Sequence, residues 1–129
     1  MKKQLAILVG IMIVHALAMA QTVDPFVGTW SAKFKTDEGI DREAELVIGP
    51  EGGTWKIYSR GGLTRLAPCL DRAFPATVHA TSAAEVSVKV NASEAVPGCR
   101  NSGMVLKLLD GTHMAGTFGD GKPVSLERR

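Results

Sequence analysis

The chain has 129 residues, with 15 Lys and Arg against 13 Asp and Glu, and two cysteines. That length bounds it to a single domain of ordinary size. The formal charge is only +2 and no basic stripe with interleaved aromatics occurs, which argues against a nucleic-acid-binding protein.

In chain order, the first segment is Met1–Ala20. It combines Lys2-Lys3, an apolar run over Leu5–Val14 and the small-residue end Ala18-Met19-Ala20. This is the three-part pattern of a cleavable secretory signal peptide. The apolar run is about half the length that a bilayer-spanning helix needs, and no positive stop-transfer flank follows it. Gln21 rather than Cys follows the cleavage motif, which argues against a lipid anchor. The expectation is a signal peptide over 1–20 and one exported domain over 21–129, periplasmic or secreted, with no integral membrane segment after cleavage. Loss of Lys2 and Lys3 leaves 13 basic against 13 acidic side chains, so the mature chain is formally neutral.

A short polar leader, Gln21-Thr22-Val23-Asp24-Pro25, precedes the first periodic segment. From there the dominant period is two. Phe26, Gly28, Trp30, Ala32 and Phe34 alternate with Val27, Thr29, Ser31, Lys33 and Lys35, the pattern of a half-buried strand. Similar runs cover 43–48, 55–58, 86–90, 104–108, 114–118 and 124–128, and a weaker one covers Ala76–Thr81 with Val78 inward. Gly, Pro, Asp and Asn separate them, and no helical pattern appears after residue 20. The spacing predicts an all-β, antiparallel up-and-down meander of about eight short strands, closed as a small barrel or flattened into a sandwich.

Two hairpin registers are predicted. A first hairpin turning about Gly39 sets Lys33 opposite Glu45 and Lys35 opposite Glu43, with Trp30 facing Ile48 and Phe34 facing Ala44 inside. Those opposed lysines make Glu43 and Glu45 solvated ion-pair partners rather than a catalytic pair. A loop Leu109-Asp110-Gly111, with Gly111 left-handed, pairs Leu106 with Met114 and keeps Met114 and Phe118 inside. The last hairpin turns through Gly119–Pro123, and Arg60–Pro75 reads as a long connection with a short edge strand or helical turn. Cys69 and Cys99, outside any CxxC motif, read as one structural disulfide in an exported chain. Closing a loop of about thirty residues stabilises by roughly 3–4 kcal/mol on the chain-entropy model.

Gly28-Thr29-Trp30 opens the first strand and Arg128 lies in the last. Together with the strand count they resemble the lipocalin-like (calycin) barrels, the avidins among them. That resemblance implies an indole of Trp30 lying across the closed end beneath the guanidinium of Arg128. Biotin binding is not implied, because Ser31-Ala32-Lys33-Phe34 follows the motif and only two tryptophans are present. Trp30, Phe34, Trp55, Ile57, Leu106, Met114 and Phe118 compete for one small interior, so a filled barrel is expected rather than a deep calyx. The chain also resembles small periplasmic inhibitors of bacterial metalloproteases, which insert an N-terminal segment into the protease cleft; its cysteines fall later in the barrel than theirs.

Catalytic and metal-binding residues are not predicted. His79 and His113 sit on outward faces without a Cys or His at ligand spacing. Ser31, Ser59, Ser87 and Ser125 are placed in strands without a nucleophile elbow, and Gly52-Gly53 and Gly61-Gly62 read as turns. Asn91-Ala92-Ser93 matches a glycosylation sequon but follows a bacterial-style export signal. The sequence reading is an exported, non-enzymatic binding or interaction protein of the bacterial cell envelope, without a cofactor. The alternatives are a protease inhibitor acting through its N-terminal segment and a carrier of a small apolar ligand.

Overall fold

The structure, a computed structural model, describes residues 22–60 and 67–129. The expected signal peptide over 1–20 and the Gly61-Gly62 turn lie outside the described residues. Eight strands follow in sequence: β1 Gly28–Lys35, β2 Asp41–Gly49, β3 Gly52–Ile57, β4 Phe74–Ala80, β5 Glu85–Val90, β6 Ser102–Leu108, β7 His113–Phe118 and β8 Pro123–Arg128. Each pairs antiparallel with the next, and β8 pairs with β1 to close the barrel. Among the described residues the only helical pieces are a 3₁₀ turn at Asp24–Phe26 and one α turn, α1, at Ala92–Ala95. No helix among the described residues is long and apolar enough to cross a membrane.

The period-two pattern does what it predicts. Trp30, Ala32, Ala44, Leu46, Ile48, Trp55, Val86, Val88, Leu106, Met114, Val124 and Leu126 point inward and are buried. No polar or charged residue is buried among those described, so the interior is apolar throughout. Removing this side-chain area from water is the main favourable term in folding. Phe26 is also fully buried, but from the 3₁₀ turn rather than from β1, which begins two residues later than its alternation suggested.

Both predicted registers are two residues out. Trp30 pairs with Leu46, Ala32 with Ala44, Lys33 with Glu43 and Lys35 with Asp41. A shift of two leaves every side chain on its predicted face, so matching the faces could not detect it. The turn decides instead. The Thr36 N–H donates to the Ile40 carbonyl and the Gly39 N–H to the Thr36 carbonyl, enclosing Asp37-Glu38-Gly39. Gly39 has φ +79°, the left-handed position that closes a three-residue hairpin loop. The predicted register moves that position to Ile40, where a β-branched side chain is strongly disfavoured.

In the second case Leu108, not Leu106, pairs with Met114, and Leu106 faces Gly116. The loop is Asp110-Gly111-Thr112, closed by the Leu109 N–H donating to the His113 carbonyl, and Gly111 is not left-handed. The carboxylate of Asp110 accepts from the Thr112 N–H and hydroxyl and contacts His113 Nδ1 at 3.0 Å, an Asx-type turn. Tertiary contacts hold that arrangement, because Arg128 donates its backbone N–H to Thr112 and its Nε to the Gly111 carbonyl.

Three smaller expectations are also corrected. Gly52 and Gly53 belong to β3, and the β2–β3 turn is Pro50-Glu51. A Cβ on Gly53 would lie 2.3 Å from the Val47 carbonyl oxygen, so the close approach of β2 excludes a side chain there. Ser59 lies after β3 rather than in a strand. The connection after Arg60 ends at Ala73, because Phe74 and Pro75 begin β4, earlier than Ala76. Pro75, opposite Thr54, occupies the strand-start position that tolerates a missing N–H.

Candidate functional site: the two ends of the barrel

Strand direction puts the leader and the β2–β3, β4–β5 and β6–β7 turns at one end. The β1–β2, β3–β4, β5–β6 and β7–β8 connections lie at the other. The first end is closed. The Trp30 indole is fully buried and its Nε1–H donates to the Phe26 carbonyl at 2.9 Å. The Arg128 guanidinium lies over that indole, Cζ 4.2 Å from the ring centroid. Its Nη1 donates to the Val27 carbonyl at 2.6 Å and its Nη2 to the Pro25 carbonyl at 2.9 Å. With Nε on Gly111, one guanidinium joins the leader, β8 and the β6–β7 turn. A Cβ on Gly28 would fall 2.7 Å from Arg128 Nη1, and its φ of +146° suits glycine, so Gly28 is the residue that admits the guanidinium. The predicted trio Gly28, Trp30 and Arg128 thus comes together.

That arrangement also places the leader. Residues 24–27 are wrapped against the barrel by Arg128 and by burial of Phe26. Nearby, Arg129 continues the seam on the outer face. Its Nε donates to the Ser31 hydroxyl at 2.6 Å and its Nη1 pairs with Glu45 at 2.7 Å, while the Tyr58 hydroxyl donates to the same carboxylate at 3.2 Å. Glu45 is therefore held by Arg129 and Tyr58 rather than by Lys33, and Glu43 faces Lys33 instead of Lys35.

The opposite end is a mouth. Phe34, Trp55 and Phe118 form an aromatic cluster just inside it, with ring centroids 5.0–6.2 Å apart and the Phe118 ring edge-on to the other two. Trp55 is buried, whereas Phe34, Phe118 and Ile57 are half-buried and open onto a depression of about 560 Å³. A larger depression of about 970 Å³ runs along the rim over β1, β2, β7, β8 and residues 58–60. Its lining mixes outward side chains such as Lys33, Lys35 and Ser125 with the inward Phe34, Arg42 and Val124, so it straddles the rim. The smaller depression has the aromatic floor, and concave apolar sites of that size are where small ligands bind.

The rim is charged. Lys35 faces Asp41 at 3.8 Å, and Lys122 pairs with Asp37 and, at 3.5 Å, with Asp120. Arg100 and Asn101 flank the depression on the β5–β6 side, both exposed. Cys69 and Cys99 join the β3–β4 and β5–β6 connections, with a Cα–Cα distance of 5.6 Å. They brace the side of the barrel where pairing is shortest, three residue pairs between β3 and β4 against eight between β1 and β2. Asp71, at φ 54°, holds the base of the β3–β4 connection. It accepts from the Ser59 hydroxyl and from the Ser59 N–H at 2.9 Å, which keep its carboxyl below the usual range.

Neither His79 nor His113 gathers ligands, and among the described residues no three His, Cys, Asp or Glu side chains stand close enough to hold a metal. His79 and His113 are exposed on β4 and β7, as predicted. Arg100 was not singled out in the sequence; its only signal was its place beside Cys99.

No protein-family model and no curated protein matches this chain. Among solved structures it is similar to a redesigned β-barrel. The match has a TM-score of 0.54 and 17% identity and covers 86% of this chain and 97% of that one. At that identity the likeness concerns the fold alone.

Proposed function

We propose that this protein is an exported, non-enzymatic binding module of the bacterial cell envelope, a barrel of lipocalin-like type that engages its partner through the mouth. One observation carries the reading: an apolar interior fully buried from the Trp30 end upward gives way at the mouth to only partly buried Phe34, Ile57 and Phe118. Partly buried aromatics at a concave end have unspent burial energy, which a ligand or partner side chain recovers on docking. The paired cysteines support an oxidising, exported location. The Trp30–Arg128 stack supports the lipocalin-like type. The inhibitor alternative has less support, because the leader that would insert into a protease is engaged at the closed end.

A neutral fluorescent probe, N-phenyl-1-naphthylamine, tests the site. Its emission should rise on titration with the oxidised protein. Ile57→Lys should abolish that rise, whereas Val105→Lys on the outer face of β6 should leave it unchanged. Equal responses from the two variants would count against the mouth.

A further inference from the structure

Resting on the mouth as the binding site, we infer that its ligand class is a compact aromatic monocarboxylate. Its ring is received by Phe34, Trp55 and Phe118, and its carboxylate by Arg100. Three features of the mouth specify these parts. First, the floor is aromatic and already arranged edge-to-face, the geometry that accepts a further ring. Second, the depression is shallow. Trp55 closes its base, and beneath it Trp30, Leu46, Leu106 and Met114 are all at most 1% exposed. A long acyl chain has nowhere to thread.

Third, the rim charges are unequally engaged. Lys35 and Lys122 already face Asp41, Asp37 and Asp120. Arg100 has no carboxylate within ion-pair distance among the described residues, and residues 1–21 and 61–66 contain no Asp or Glu. Among the described residues Arg42 is unpaired as well, but it lines the larger depression and not the one with the aromatic floor. Asn101 beside it spends its side-chain oxygen on the Ser93 N–H at 2.9 Å, which leaves its amide N–H groups as donors. A planar guanidinium fork matches a carboxylate with two parallel hydrogen bonds. A dianion gains less, because Asp37 and Asp120 line the same depression. The disulfide places this donor pair, since Arg100 follows Cys99 directly.

The experiment is an NMR titration of the oxidised mature protein with 3-phenylpropanoate, 3-phenylpropanamide and decanoate. The acid should shift the Trp55 indole N–H and the backbone amides of 100–103, and should bind at least fivefold more tightly than the amide. Arg100→Gln, an exposed change, should reduce the acid to the affinity of the amide, while Lys89→Gln on the outer face of β5 should alter it less than twofold. The inference is overturned if acid and amide bind alike, if Arg100→Gln has no effect, or if decanoate binds more tightly than the aromatic acid. Should acid and amide bind equally at the mouth, the monocarboxylate class fails and the mouth site stands. Should none of the three, nor the naphthylamine probe, perturb the mouth, both fail.

Discussion

The two ends of this barrel are built from the same eight strands, and each is filled by aromatic side chains. They differ in what covers those side chains. At the closed end Phe26 and Trp30 are fully buried, and Arg128 holds the leader there by two side-chain hydrogen bonds to its carbonyls and the β6–β7 turn by a third. At the mouth Phe34 and Phe118 are only partly buried, and the rim residues pair with one another instead of roofing the aromatics. An aromatic becomes core only when some chain segment satisfies its own polar groups while covering it. The closed end has a guanidinium to do that for the carbonyls of the leader. The contrast separates a sealed end from an open one.

The largest expected effect probes this directly. Trp30→Ala should destabilise by about 3–5 kcal/mol, the range for emptying a buried aromatic site. It also strands Arg128 without its stacking surface. Phe34→Ala should cost clearly less, because Phe34 leaves less area and a smaller cavity behind. Urea unfolding of the two variants gives the ratio, and equal losses would break the comparison between the ends.

Next in size, replacing Cys69 and Cys99 together by Ser should cost roughly 3–4 kcal/mol, from the thirty-residue separation they close. Its signature should be local. Amide hydrogen exchange should accelerate around 91–101 and 67–73 at the mouth well before the strand pairs around Trp30 and Arg128 respond. Uniform acceleration would mean that the bridge braces the whole barrel rather than one end.

The smallest effect is a pH dependence at the β6–β7 turn. Hydrogen bonds from the Thr112 N–H, from His113 and from the Thr112 hydroxyl hold the Asp110 carboxyl well below its ordinary range, with a pKa of about 2. The folded state therefore takes up this proton at lower pH than the unfolded chain, so the carboxylate stabilises the fold above about pH 4. That contribution is lost as pH falls through about 2. Asp110→Asn should lower the melting temperature slightly near neutrality, with the difference from wild type closing by pH 2. A gap that persists at pH 2 would assign the loss to geometry rather than charge.

Particular residues show how far the sequence could be read. The glycine at 39 carried enough information for the first register, since only Asp37-Glu38-Gly39 puts a glycine at the left-handed position. Symmetry about Gly39 was the wrong criterion; turn chemistry was the right one. The β6–β7 register carried no such local signal, because Gly111 offered a plausible left-handed position that the fold does not use. Arg128, more than a hundred residues from the leader it holds, selects the other turn through Gly111 and Thr112. Arg100 was equally hidden, because what distinguishes it is its place, unpaired, beside the aromatic-floored depression.

By itself the sequence determined the strand number, the inward face of each strand and the pairing of its two cysteines. A period of two reports which side of a sheet a residue faces, and only two cysteines were available to join. The tertiary structure alone decided the two-residue offset of the β6–β7 hairpin, the closure of β8 on β1, and which end is sealed and which is open. Side-chain alternation is unchanged by a shift of two residues, and whether an end is covered depends on contacts between segments that are neighbours only after folding.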